Sequence, residues 1–273
     1  ISDPSWENHR ALFESAGFNV KNYPYYDPAT RGVNFAAMKA FIAALPAQSI
    51  VLLHACCHNP TGADLSDGQW LELAELCRER ALVPFLDMAY QGFAEGIDAD
   101  AVALRAMTAS GQPFLVSSSF SKSFSLYGER VGALSIVTDR RDEAARVLSQ
   151  VKRVIRTNYS NPPTHGAAIV AAVLSSPALR RIWEDELATM RSRIRAMRQR
   201  LVELLAKKAP HQDFAFINQQ RGMFSYTGLT VEQVERLKSE FGIYAVSTGR
   251  ICVAALNSGN IEYVADAIAQ VTA

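Results

Sequence analysis

The sequence predicts an α/β fold: a mostly parallel sheet with helices on both faces, followed by a smaller α+β C-terminal domain. Three observations carry this expectation. Apolar runs alternate with helix-period stretches from about residue 17 to 178, the pattern of strand–helix–strand units. One amphipathic pattern then runs from 179 to 209, too long to be a crossover of that sheet. Polar residues gather where the apolar runs end, the edge at which parallel sheets bind ligands.

Asp3, Pro4 and Ser5 lead into an amphipathic run and predict a capped first helix. The run QSIVLLHACC (48–57) has a continuous apolar centre, the pattern of a strand buried on both faces. LSDGQWLELAELCRERA (65–81) has helical period, with Ser66 as its cap. LVPFLDMAY (82–90), QPFLVSSSF (112–120) and VGALSIVT (131–138) read as three more strands. In the long helix, apolar residues fall at 179, 183, 187, 190, 194, 197, 201 and 204, and the arginines among them are expected to form a solvated face. FAFINQQRGMFSYTG, a helix from Thr230 to about Gly242, IYAVSTGRICVAAL and a last helix complete the chain. The expected division is a large domain over 1–185 and a small one over 186–273, joined by the long helix.

Composition excludes several classes of function. The chain has 273 residues, of which 49% are hydrophobic and 20% charged, as in ordinary globular proteins. Its 28 basic residues against 27 acidic ones leave a net charge of +1, no footprint for nucleic acid or an anionic membrane. No run of 18 apolar residues occurs, and no signal-like n-region and h-region. Cys56, Cys57, Cys77 and Cys252 form no CxxC pair, so no metal is expected, and reduced, mostly buried thiols point to the cytoplasm. The opening ISDPSWENHRALFESAG reads as the middle of a longer pattern.

The chemistry centres on SFSKSFSLYGERVG (119–132), where one lysine stands among serines and aromatics. A lysine amine condenses with an aldehyde if it is sometimes neutral, and desolvation or a nearby cation lowers its pKa enough. Pyridoxal phosphate is the aldehyde most used by proteins. It demands an imine lysine, a carboxylate on the pyridine nitrogen, donors to the ring phenolate and a cradle for the phosphate. Lys122 supplies the first. Asp87 closes an apolar strand, where an unpaired carboxylate is costly, and would pair with a pyridinium proton. Tyr90 and Asn59, in HNPTG, could reach the phenolate, while Ser119 and Arg130 suit a phosphate. Taken singly, each residue has an ordinary reading: a solvated lysine, a capping aspartate, a turn, an ion-pairing arginine. Together they occur in order at strand ends, and neither GxxxxGK[ST] nor GxGxxG competes as a nucleotide cradle.

HNPTG, DMAYQGF and SFSKSFSLYGERVG resemble the fold-type I aminotransferases of the aspartate and aromatic amino-acid group. SQVKRVIRTNYSNPPTHGA and STGRICVAAL resemble the same family's downstream motifs, so the likeness runs over the whole chain. It implies pyridoxal 5′-phosphate as cofactor, amino acids and 2-oxo acids as substrates, and a homodimer with shared active sites. By that resemblance Lys122 also moves the proton between substrate and cofactor, Asp87 holds the pyridinium, and Ser121 joins Ser119 and Arg130 on the phosphate. Trp6 packs on the ring, and His54 lies behind the aspartate. Arg250 grips the substrate α-carboxylate; a guanidinium beside an apolar strand needs such a partner. Arg156 binds the side-chain carboxylate of dicarboxylic substrates from the other subunit. His9 and His58 read as structural. Ser123, Ser125 and Gly128 stand where many relatives carry Asn, Gly and Asn, a change the lysine loop is expected to tolerate. The family's Ser-Gly-Thr phosphate loop and the tyrosine lent to a neighbour's phosphate are not in this sequence. Two other readings keep Lys122 and Asp87: a lyase or decarboxylase of the same fold type, and a cofactor-binding sensor or fragment without turnover.

Overall fold

The computed structural model describes residues 1–273. Its central sheet has four strands in chain order: β1 (Ile50–His54), β2 (Val83–Met88), β3 (Phe114–Ser119) and β4 (Gly132–Val137). The first three are parallel, and β4 runs antiparallel against β3, so the sheet is mixed at that edge. A short chain from Ser119 to Gly132 makes the reversal possible, because a parallel pair would need a longer crossover. The predicted strands 82–90, 112–120 and 131–138 each appear, trimmed by a few residues.

Register puts the functional edge together. His54 pairs with Asp87, and Asp87 with Ser117. Residues paired across neighbouring strands share a face, so these three line up at the carboxyl end of the sheet.

Helices α1 (Glu7–Ser15), α2 (Phe35–Ala43), α3 (Asp67–Glu79) and α4 (Val102–Ser110) belong to the sheet region. Ser66 caps α3 as expected and forms a reciprocal capping box with Gln69. The cap expected for α1 does not form. Trp6 occupies the N-cap position without a side-chain bond, and the Ser5 hydroxyl is spent on two histidines instead. The core here joins Met38, Ile42, Leu73, Leu86, Met107 and Phe114, all essentially inaccessible to water.

Beyond β4 the chain forms α5 (Arg141–Asn158), α6 (His165–Ser175) and the long α7 (Pro177–Lys208). No residue of α5 is buried. Helix α7 packs on α9 (Ile261–Thr272), which in turn packs on α8 (Val231–Phe241), and Leu187, Leu201, Leu205, Leu237 and Ile268 belong to the core they share. Thr230 and Gln233 box the start of α8, and Gly242, at φ 64, ends it in the left-handed region glycine favours. Two three-residue strands, β5 (Phe224–Tyr226) and β6 (Arg250–Cys252), pair antiparallel beside this core. Cys56, Cys57, Tyr90 and Phe93 belong to the same cluster, so the second core reaches the end of the sheet.

Two expectations change. The arginines of α7 are not all solvated: Arg198 is only 3% exposed. Leu179 and Ile182, near the start of that helix, are exposed. All four cysteines are free, with Cys252 at the surface and the other three buried. No helix is long and apolar enough to cross a membrane.

Candidate active site

A cavity of about 510 Å3 opens at the carboxyl ends of β1, β2 and β3. Asp87, Tyr90, Asn59, Lys122, Arg130, Ser119, Ser121, Trp6 and His54 all line it, so nine of the sequence-derived candidates meet in one space. Arg250 and Arg156 do not line it. Arg250 approaches through Asn59, whose side-chain oxygen accepts from Nη1 at 3.0 Å, and its guanidinium lies 4.8 Å from the centre of the Phe224 ring. Arg156 is on exposed α5, hydrogen-bonded to the Ser160 hydroxyl.

Lys122 Nζ lies 4.8 Å from the centre of the Tyr90 ring. Burial pushes its pKa below the ordinary lysine value; the Asp87 charge works against that shift and the Arg130 charge with it. The Tyr90 hydroxyl is pushed up, first by burial and then by Asp87. It is therefore a protonated donor at neutral pH.

The serines and the arginine frame one end of the cavity. Ser119 Oγ accepts from the Ser121 amide at 3.2 Å and keeps its own proton to donate. Arg130 donates from Nη1 to the Tyr127 carbonyl at 3.0 Å, which leaves the rest of the guanidinium fork free. Arg130 sits at φ 52, a conformation that costs an L-residue and that tends to occur at functional sites.

Asp87 is held by a histidine that sequence reasoning passed over. His9 Nε2 lies 2.8 Å from Asp87 Oδ2. Burial alone would raise the Asp87 pKa, but the His9 hydrogen bond and the nearby Lys122 charge work against it, and the net shift is downward. Asp87 is thus ionised.

The partners fix the protons one after another. The backbone N–H of Asn59 donates to His54 Nδ1 at 3.4 Å, so the His54 proton sits on Nε2. Nε2 faces Ser5 Oγ at 3.3 Å and donates to it. Ser5 then donates to His9 Nδ1 at 2.9 Å, which places the His9 proton on Nε2, aimed at Asp87. Burial keeps His54 neutral, well below the ordinary histidine range. So His54 is three hydrogen bonds removed from the carboxylate, with Ser5 and His9 between, and His9 takes the direct contact. The available signal was spacing: His9 is three residues after Trp6 on one helix, and their rings meet edge-on at 5.2 Å.

The residues present fit a pyridoxal group. A lysine with a lowered pKa and an ionised carboxylate face one cavity, and Ser119, Ser121 and Arg130 present spare donors at its end.

Comparison with known proteins gives a consistent picture. The family described as aminotransferase class I and II matches residues 1–268. The chain is 67% identical to an aspartate aminotransferase of Pseudomonas aeruginosa, over 99% of its own length and 68% of the relative's. It is 55% identical to an aromatic-amino-acid aminotransferase of Escherichia coli, with the same coverage. Among solved structures, the aromatic-amino-acid aminotransferase of Burkholderia pseudomallei, covalently bound to pyridoxal phosphate, superposes with a TM-score of 0.98. That protein is 68% identical to this chain and matches 99% of it, across 68% of its own length.

Proposed function

This chain belongs to the class I and II aminotransferase family, and from that premise we propose that its cavity moves an amino group between a dicarboxylic or aromatic amino acid and a 2-oxo acid such as 2-oxoglutarate. The chain is an aminotransferase, and pyridoxal 5′-phosphate is its cofactor. The observation that carries the reading is the shared wall: Lys122 and Asp87 face one cavity, with Ser119, Ser121 and Arg130 at its end.

Bound there, the cofactor supplies a carbonyl for amine exchange and a ring that withdraws electrons from the substrate α-carbon. The residues of this chain do the rest. Asp87, ionised and fixed by His9, would hold the protonated ring nitrogen. Ser119, Ser121 and Arg130 would hold the phosphate, Tyr90 and Asn59 the ring oxygen, and Trp6 one ring face. Lys122 Nζ, with its pKa lowered by burial, would take the α-proton from the amino-acid substrate and deliver it to the carbon that bears the cofactor's carbonyl. Arg250 grips the α-carboxylate bidentately, with Asn59 and Phe224 fixing its fork.

Arg156, presented outward on α5, is proposed to bind the side-chain carboxylate of a dicarboxylic substrate in the site of a second copy. A homodimer in the cytoplasm is the proposed setting. The unburied α5 supports the first part, and four free cysteines the second. A cofactor domain over 1–185 and a small domain over 186–273 remain the proposed division. A lyase or decarboxylase would have less use for two carboxylate-binding arginines, and neither it nor a sensor fragment is favoured.

Visible absorbance of the cofactor-loaded protein and intact mass after borohydride reduction test the reading. The band and the trapped mass should appear in the native chain and vanish in Lys122→Ala. Activity of that variant should fall by about 10^4-fold or more. A Lys122→Ala protein that still transaminates would remove Lys122 from the chemistry.

A further inference from the structure

Lys122 lies in a loop, residues 119–132, that turns back between β3 and β4. Most hydrogen bonds of this loop are local. The Ser121 amide donates to Ser119 Oγ, the Phe124 amide to the Phe120 carbonyl and the Ser125 amide to the Lys122 carbonyl, each at 3.2 Å. Two of its residues stand in the left-handed region that L-residues resist, Ser125 at φ 56 and Arg130 at φ 52. The loop therefore holds a shape that its own backbone does not favour.

A tether from outside comes from α7. Trp183 donates from Nε1 to the Ser123 carbonyl, 60 residues back in the chain, at 2.6 Å. Its ring stacks on Phe124, with centres 4.5 Å apart and planes at 22°, and Phe124 meets Phe120 edge-on at 5.4 Å. The peptide just after Lys122 is thus gripped from behind. The acceptor is a main-chain oxygen, so it is present whichever side chain stands at 123.

The same face of α7 holds the segment that carries Tyr90. Leu187, one turn after Trp183, packs against Gly92 where a Cβ would otherwise stand. Arg191 donates from Nη1 to the Gly92 carbonyl at 2.8 Å, and Arg195 from Nη2 to the Ala94 carbonyl at 2.6 Å. Steps of four residues keep these side chains on one side of a helix, each about 6 Å beyond the last. One rigid element therefore sets the Lys122 loop and the Tyr90 turn against each other, and Lys122 Nζ stays 4.8 Å from the centre of the Tyr90 ring.

We propose that Trp183 is a positioning residue for Lys122: its N–H and its ring hold the loop so that the amine stays half-buried beside Tyr90. Trp183 does not line the cofactor cavity, so it acts only through the Ser123 peptide and Phe124. The groups that face the amine are tied elsewhere: Asp87 by His9, Arg130 by the Tyr127 carbonyl, and the Tyr90 turn by Leu187 and Arg191. The proposal rests on Lys122 bonding the cofactor, which Lys122→Ala tests separately through loss of the visible band.

Trp183→Phe, which keeps the stack and removes the N–H, tests the tether in the cofactor-loaded protein. The visible band should remain, and its pH midpoint should move up, because a looser loop lets water reach the Lys122 nitrogen and favours its protonated form. kcat should fall about tenfold with aspartate and with aromatic donors alike. KM should change by less than about twofold, since Arg250 and Asn59 are untouched. Phe124→Leu, which removes the stack and keeps the N–H, should move the midpoint in the same direction by less. An unmoved midpoint in Trp183→Phe would overturn the proposal, as would a fall in kcat matched by an equal rise in KM. A lower melting temperature with midpoint and kcat unchanged would show packing alone and overturn it too.

Discussion

Arg250 and Arg156 are both proposed to hold substrate carboxylates, yet the regions that carry them are built in opposite ways. Arg250 is in a paired strand, with Phe224 beneath its guanidinium and Asn59 at its Nη1. Arg156 is on an 18-residue helix with no buried residue, bonded only to Ser160 four positions on. The first region positions its side chain with groups from its own chain. The second presents its side chain outward, as expected for a group that works in another copy. On the proposed roles, preorganisation is local for the group every amino-acid substrate needs, and external for the group only some need.

The largest expected effect separates the two arginines. Arg250→Ala should lower kcat/KM by about 10^2- to 10^3-fold for aspartate and for aromatic donors alike, the cost of a lost bidentate charge pair. Arg156→Ala should cost about as much with dicarboxylic substrates and less than about threefold with aromatic ones. Equal losses for both classes would end the proposed role of Arg156.

Stability should divide along the same line. Leu86, fully buried in the sheet core, should cost about 2–4 kcal/mol on change to Ala, read from the denaturant midpoint. Val154, exposed on α5, should cost less than about 0.5 kcal/mol on change to Ala within a single copy. Val154→Asp, followed by sedimentation, sharpens this: if α5 faces a second copy, the variant dissociates while its monomer stays folded.

Acid should act on the sheet side first. Burial holds His58 at about 3 and His54 well below the ordinary range, whereas both titrate near 6.5 when unfolded. Their neutral forms therefore stabilise the fold fully above about pH 6.5. For His58 that contribution is lost as pH falls towards 3, at about 1.4 kcal/mol per pH unit, and buried His54 acts in the same direction. Urea midpoints between pH 4 and 7 should show this slope, and His58→Gln should reduce it by one proton.

Ser5→Ala should affect turnover less than either arginine change. It removes the hydroxyl between His54 and His9, frees the His9 tautomer and weakens its grip on Asp87. We expect kcat to fall by up to about tenfold and the acid limb of the pH profile to move up. A role in packing alone would lower thermal stability without moving the limb.

Much of this site is legible in the sequence because strand period and buried charge conflict visibly. Asp87 ends an apolar run, and Lys122 stands among serines and aromatics with no charge beside it in sequence, so both ask for partners. The caps at Ser66 and Thr230 are legible for a similar reason, since each acts within three residues. His9 is not, because its partner is 78 residues away and a lone histidine on an amphipathic helix carries no signature. Arg198 misleads differently. Its helix is rich in arginine, which reads as a solvated face, yet 198 falls four after Ile194 and three before Leu201 and so belongs to the buried stripe. The outward stance of Arg156 was expected from the family resemblance, and nothing within one chain could have shown it.

Asn59 keeps two duties on separate atoms: its amide nitrogen begins the ordered protons that end at Asp87, and its side-chain oxygen restrains Arg250. Swapping the side chain leaves the peptide nitrogen where it was. A new side chain there would disturb Arg250 and the proposed hold on the ring oxygen together, while the electrostatics of the opposite wall are inherited unchanged.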